Sequence, residues 1–177
     1  PAFIYASQDL ATALRHPLPG WFGHADPFAF DGDYRPVSGA ARFAAGTPGI
    51  LSLRALDGAL DVLSGISVSQ LSTKAQALGD LCLWWADRLG LEAISPGIGE
   101  IRGGHVSVLH AQGYAVVQAL IAQNIVPDFR APDAMRFGFS PLYVRFVDVW
   151  DAMEALGDIL ETRRWDQPQY KVQSTVT

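Results

Sequence analysis

The sequence predicts an α/β protein, on three observations. After Gly90, β-rich segments alternate with amphipathic ones in the order strand, helix, strand, strand, helix. That order describes a small α/β sandwich with helices on one side of a sheet. Before Gly90, two leucine-striped stretches read as helices. Ahead of both, residues 21–48 are rich in Gly, Pro, Asp and aromatics and show no helical period. A loop that long without structure of its own is usually functional or partner-bound.

Residues 3–6 read as a short apolar strand. The run is already under way at Pro1, the pattern of a piece cut from something longer. Residues 9–15 suit a single helical turn before Pro17, Pro19 and Gly20. Ser52 has the chemistry of an N-cap, and Leu53, Leu56, Leu60 and Leu63 follow as one stripe. The next helix covers 67–89, with Leu71, Leu78, Leu81, Trp85 and Leu89 along one side and Gly90 as its stop. As the longest helix, it reads as the link between two domains. Strands are expected at 92–95, 105–110, 125–130 and 135–139, with helices at 113–124 and 147–164. Val149, Met153, Leu156 and Leu160 share one face of the last. The polar residues from Pro168 onward are expected to fray.

Composition narrows the function. The chain has 177 residues, 49% hydrophobic and 18% charged, which suits a packed protein of one domain or parts of two. A net charge of −5 gives no reason to expect nucleic acid or an anionic membrane as partner. No apolar run approaches the roughly 20 residues a membrane helix needs. A lone cysteine, Cys82, excludes an internal disulfide framework and fits a reducing compartment, so a cytoplasmic location is expected.

The chemistry concentrates in two glycine-framed loops, Gly20-Trp21-Phe22-Gly23-His24 and Arg42-Phe43-Ala44-Ala45-Gly46-Thr47-Pro48-Gly49. No nucleophile with an activating base lies nearby, so such loops hold a ligand rather than attack one. The indole N–H of Trp21 and the hydroxyl of Thr47 can both donate to an anion. By composition alone, Trp21 reads rather as a packed loop aromatic and Thr47 as an ordinary turn threonine. Arg136 sits in the apolar run Met135-Arg136-Phe137-Gly138-Phe139 and needs a partner, either a ligand or a fixed acid such as Asp133. His105 and His110 are five apart on a strand, face opposite sides and cannot share a metal, so no metal site is read. Cys82 in an apolar helix reads as a buried, unreactive thiol. The Trp84-Trp85 pair reads as core. Lys74, on a helix face, and Lys171, in the tail, are the only lysines.

Those loops, with Asp26-Pro27-Phe28, Asp128-Phe129-Arg130-Ala131-Pro132-Asp133, Arg136-Phe137-Gly138 and Pro141-Leu142-Tyr143, resemble the kynureninase family in order and spacing over essentially the whole chain. The resemblance implies the C-terminal part of a pyridoxal phosphate (PLP)-dependent transferase of fold type I. Residues 1–66 would end the large PLP-binding domain and 67–91 would form a linking helix. Residues 92–167 would form the small C-terminal α/β domain and 168–177 a flexible tail. It further implies a homodimer with shared active sites that hydrolyses L-kynurenine and 3-hydroxykynurenine to anthranilate or 3-hydroxyanthranilate and L-alanine. Trp21 and Thr47 would donate to the PLP phosphate from the neighbouring subunit, and Arg136 would clamp the substrate α-carboxylate. The family's Schiff-base lysine belongs upstream of the 3–6 strand, so no catalytic residue is expected in this chain and the chain alone is expected to be inactive. Phe22, His24, Arg42 and Phe43 would shape the aryl end of the site without assigned roles. Two other readings stay open. One is another fold type I enzyme, a cysteine desulfurase or an aminotransferase. The other is a lysine-less module kept for dimerisation or binding.

Overall fold

The computed structural model describes residues 2–30 and 32–172. It forms two compact units, Pro1–Gly65 and Ile66–Thr177. No helix among the described residues is long and apolar enough to cross a membrane.

The first unit is built mainly from loops. Helix α1 (Gln8–Ala13) starts at Ser7, whose hydroxyl accepts the Leu10 N–H at 3.3 Å. Two 3₁₀ turns follow, Trp21–Gly23 and Gly39–Phe43, and then helix α2 (Ile50–Asp61). The expected strand at 3–6 does not form, and Phe3, Ile4 and Tyr5 lie exposed. A strand needs a neighbouring backbone to satisfy its N–H and C=O groups, and this unit has no sheet among the described residues. Pro1 lies outside the described residues. Helix α2 begins at Ile50 after Gly49, so Ser52 sits in its first turn rather than at its N-cap. None of its residues is buried, and Leu53 and Leu60 face solvent. Ala11 is the unit's one fully buried hydrophobic residue among those described.

The second unit has a real core. Helix α3 (Val68–Arg88) opens on a capping box in which Ser67 and Gln70 satisfy each other's backbone N–H. It ends on Gly90, at φ +67°, with Leu91 N–H returning to Ala86 C=O and Gly90 N–H to Asp87 C=O. This Schellman closure favours glycine, which has no Cβ to strain at positive φ. Strand β1 (His105–Leu109), helix α4 (Gly113–Ile121), strands β2 (Asp128–Arg130) and β3 (Ala134–Gly138), and helix α5 (Phe146–Glu161) follow. The three strands form an antiparallel sheet in the order β1-β3-β2.

Alternation sorts the two faces of that sheet. Val106, Val108, Met135 and Phe137 point into the core, joined by Leu78, Cys82, Leu83 and Ala86 of α3, Val116 and Leu120 of α4, and Val149, Met153, Leu156 and Ile159 of α5. Ser107, Arg136 and Asp128, aligned in register, lie on the other face. The helices therefore cover one side only, as the sequence predicts.

Several elements differ from expectation for identifiable reasons. Residues 92–95 make a single bridge, Ala93 to Val108, because the Ser95 hydroxyl takes the Ser107 N–H at 2.9 Å and cuts the ladder. Strand β2 starts only at Asp128, after Pro127, which has no N–H to donate. The buried face of α3 is rotated from the predicted leucine stripe onto Leu78, Cys82, Leu83 and Ala86, with Trp85 at its edge. Trp84 is not core. It is 39% exposed, stacks with Trp150 at 5.9 Å and carries the Arg88 guanidinium 4.7 Å over its ring. The stretch expected to fray forms helix α6 (Pro168–Lys171), where Tyr170 packs on the core and the Tyr114 hydroxyl donates to Val172 C=O at 2.9 Å. Residues 173–177 lie outside the described residues.

Candidate functional site

In the first unit the two glycine-framed loops lie against each other, and glycine is what permits it. A Cβ on Gly20 would stand 1.7 Å from the Ala45 carbonyl oxygen. One on Gly23 would meet the Arg42 carbonyl and the Tyr34 hydroxyl at 2.6 Å each. No side chain fits either place, so the 20–24 and 42–46 backbones touch directly.

That contact brings Trp21 and Thr47 into one neighbourhood. The indole Nε1 of Trp21 is 3.8 Å from where a Cβ of Gly46 would sit, one residue before Thr47. Trp21 is 47% exposed and Thr47 is exposed, and neither side chain makes a hydrogen bond among the described residues. Two free donors on adjacent loops suit an anionic oxygen, such as one of a phosphate. Beside Trp21 is a cavity of about 390 Å³, lined also by His24, Phe30, Tyr34, Pro19 and Pro27 among others. Phe22 and Phe28 meet the Trp21 ring edge-on at 4.4 and 5.7 Å and fix its plane.

Three neighbours hold the scaffold. Arg42 Nη1 donates to the Ala11 and Thr12 carbonyls at 2.6 and 2.9 Å, closing the C-terminus of α1. His24 Nδ1 accepts the Asp26 N–H at 2.9 Å, while Nε2 lies 3.3 Å from the Asp33 carbonyl. The histidine staples its own loop. Phe43 uses its carbonyl as a partner for His16 Nε2 at 3.1 Å.

In the second unit Arg136 projects from the open face of the sheet with its side chain 35% exposed. Its ion-pair partner is Asp128, not Asp133. The hairpin explains the choice. β2 and β3 pair so that Asp128 stands directly across from Arg136, whereas Asp133 falls in the turn. Arg136 engages Asp128 through Nη2 alone, leaving Nη1 and Nε without hydrogen bonds among the described residues. Arg130 binds the same Asp128 oxygen, through Nε at 3.0 Å and Nη2 at 2.9 Å. Two guanidinium groups share one carboxylate, which leaves a net positive charge on this face. Asp128 and Arg130 are the site-forming residues that reading Arg136 alone misses. The signal was present in the turn sequence Ala131-Pro132-Asp133, about which the register folds.

The remaining candidates resolve plainly. Lys74 is half-buried, with Nζ donating to the Pro141 carbonyl at 2.8 Å, and Lys171 pairs with Asp166. Neither amine is a free nucleophile. Burial pushes the Cys82 thiol up to about 12, with the Arg102 charge opposing, and its Sγ lies 3.7 Å from Met153 Sδ. Burial also lowers the His110 pKa from its ordinary value. Arg102, absent from the sequence expectations, is buried against α3. It pairs with Asp80 and donates to the Gln76 and Gly97 carbonyls at 2.7 and 2.9 Å. A Cβ on Gly79 would be 2.8 Å from its Nε, so a glycine on α3 makes room for the guanidinium. No group of three or more metal-ligating side chains occurs among the described residues.

Comparison with known proteins defines the class first. A cysteine desulfurase from Thermococcus onnurineus NA1 superposes with a TM-score of 0.73 at 19% identity, over 89% of this chain and 42% of that one. A cysteine desulfurase from Escherichia coli gives 0.67 at 21% identity, over the same shares. At such identities the likeness establishes the fold alone. It is the α/β fold of the C-terminal part of PLP-dependent fold type I enzymes, the end of the large domain plus the small α/β domain. Residues 71–156 match the model of the kynureninase C-terminal domain. The chain is 41% identical over 180 residues to the kynureninase of Pseudomonas fluorescens, covering 99% of this chain and 43% of that protein. It is 39% identical over 181 residues to the kynureninase of Burkholderia mallei strain SAVP1, covering 100% and 44%. The chain is similar to these kynureninases over its whole length and spans less than half the length of either.

Proposed function

We propose that this chain is the C-terminal portion of a cytoplasmic, homodimeric kynureninase that uses PLP to hydrolyse L-kynurenine, and its 3-hydroxy derivative, to anthranilate or 3-hydroxyanthranilate and L-alanine. The observation that carries the reading is Arg136. Its guanidinium sits on the sheet face opposite the core, spends one nitrogen on Asp128 and makes no other hydrogen bond among the described residues. A planar fork with donors to spare suits the α-carboxylate of an amino acid.

Each residue then has a physical task. Trp21 and Thr47 would hold the cofactor phosphate with an indole N–H and a hydroxyl. Arg136 would grip and orient the substrate carboxylate. The aromatic walls beside Trp21 suit a flat aryl group. PLP supplies the electron sink when bound. The lysine that holds it would come from outside this chain, because both amines here are engaged elsewhere. Within this reading 1–66 completes the large domain, 67–91 links, and 92–167 is the small domain. The apolar residues that the first unit leaves exposed, including Leu53 and Leu60, suit a protein surface that the complete dimer would provide.

The test is Arg136→Ala in the complete enzyme. Hydrogen bonds to a charged group are worth roughly 1.5–3 kcal/mol each, so losing two predicts a fall of about two to four decades in kcat/KM. The melting temperature should move little, because Arg136 is partly exposed. Near-normal kinetics with a large loss of stability would instead make Arg136 a structural ion-pair member.

A further inference from the structure

The carboxylate between the two arginines carries an inference that rests on the clamp reading of Arg136. Asp128 and Arg136 are cross-strand partners, so the hydrogen-bonded backbones of β2 and β3 set their separation. A single oxygen of Asp128 receives Arg136 Nη2 together with Arg130 Nε and Nη2. Arg130 thus grips Asp128 from the exposed edge strand, and Asp128 touches only one end of the Arg136 fork. The contact anchors one end of the guanidinium without filling its fork. It leaves Nη1, Nε and the second Nη2 proton as donors.

We propose that Asp128 is a positioning residue for substrate recognition. It sets Arg136 in advance so that its free edge meets the α-carboxylate of the incoming amino acid, and Arg130 in turn holds Asp128. The physical gain is preorganisation. A long, freely rotating arginine must be immobilised when the substrate binds, and that ordering costs affinity. Two arginines on one acid also leave the face with a net positive charge, so the arrangement attracts an anion even though Arg136 already has a partner. Asp133, the acid that sequence proximity suggests, makes no such contact.

The experiment compares Asp128→Asn, Arg130→Ala, Arg136→Ala and the double variant Asp128→Asn/Arg136→Ala in the complete enzyme. It measures KM and kcat for L-kynurenine, and the inhibition constant of the amine analogue that lacks the α-carboxylate. Asp128→Asn should raise KM roughly five- to tenfold, the affinity cost of immobilising one long side chain, with kcat changed less than about threefold. Arg130→Ala should act in the same direction by about two- to threefold. Neither should change inhibition by the amine, and Asp128→Asn should add nothing once Arg136 is gone. Asp128→Glu, which keeps the charge, should recover part of the loss. If Arg136→Ala raises KM while Asp128→Asn leaves it unchanged, the positioning role is wrong and the clamp stands. If Arg136→Ala itself leaves KM unchanged, the clamp reading fails and the inference falls with it. An equal effect on the amine, or an undiminished effect in the Arg136→Ala background, also overturns it. Should Asp128→Asn fold poorly, Arg130→Ala decides, and an unchanged KM there counts against the proposal.

Discussion

Replacing Gly20 with alanine would drive a methyl group into the backbone of the opposite loop. The new Cβ would lie 1.7 Å from the Ala45 carbonyl oxygen, 2.4 Å from its carbon and 2.5 Å from its Cα. All three obstacles are backbone, so no side chain can swing away. Bringing the nearest contact out to 3.0 Å requires the loops to part by at least 1.3 Å. Overpacking of this kind costs typically 1–3 kcal/mol. The larger consequence is functional. Trp21 follows Gly20 and Thr47 lies two residues beyond Ala45, so parting the loops separates the two donors proposed for the phosphate. A misplacement of about 1 Å can cost on the order of a hundredfold in rate. PLP affinity and kcat/KM of the complete enzyme should therefore each fall by at least tenfold. Gly58→Ala is the control. Gly58 lies within α2 with nothing within 4 Å of the added Cβ, and removing a helical glycine should stabilise by about 0.5–1 kcal/mol. Absorbance titration with PLP and thermal melts on the two variants make the comparison. Unchanged PLP affinity in Gly20→Ala would refute the claim that this loop contact builds the cofactor's phosphate site.

Four further outcomes are expected. Gly79→Ala should destabilise the protein by about 1–3 kcal/mol in chemical denaturation, because the methyl would press on the Arg102 guanidinium, which is itself held by Asp80. Burial lowers the pKa of folded His110, so the unfolded chain takes up its proton first. This contribution to stability is complete above about pH 6.5 and declines as pH falls below it, and His110→Gln should flatten that part of the melting-temperature profile. Cys82, pushed up to about 12 and buried, should resist iodoacetamide at pH 8 in the native state and react only after denaturation. Borohydride treatment of this chain with PLP, followed by mass spectrometry, should show no stoichiometric label on Lys74 or Lys171 that accompanies turnover, since both amines are engaged.

The sequence by itself determined the periodic parts of this protein. Ser67, Gln70 and Gly90 write the start and stop of α3 into neighbouring residues, and the alternation around Val106 and Val108 assigns the faces of β1. Its motifs also carry the family resemblance through which Trp21, Thr47 and Arg136 are proposed as ligand contacts, roles that composition alone does not assign. Tertiary structure decided what depends on partners distant in the chain. Residues 3–6 carry a strand's composition yet have no neighbouring strand, and the Ser95 hydroxyl ends the pairing of 92–95. Arg136 chose Asp128 over the nearer Asp133 because antiparallel register, not distance along the chain, sets which side chains face each other. The need for glycine at 20, 23 and 79 is likewise invisible locally. At each, the excluded volume belongs to atoms at least eleven residues away, and only folding brings them together.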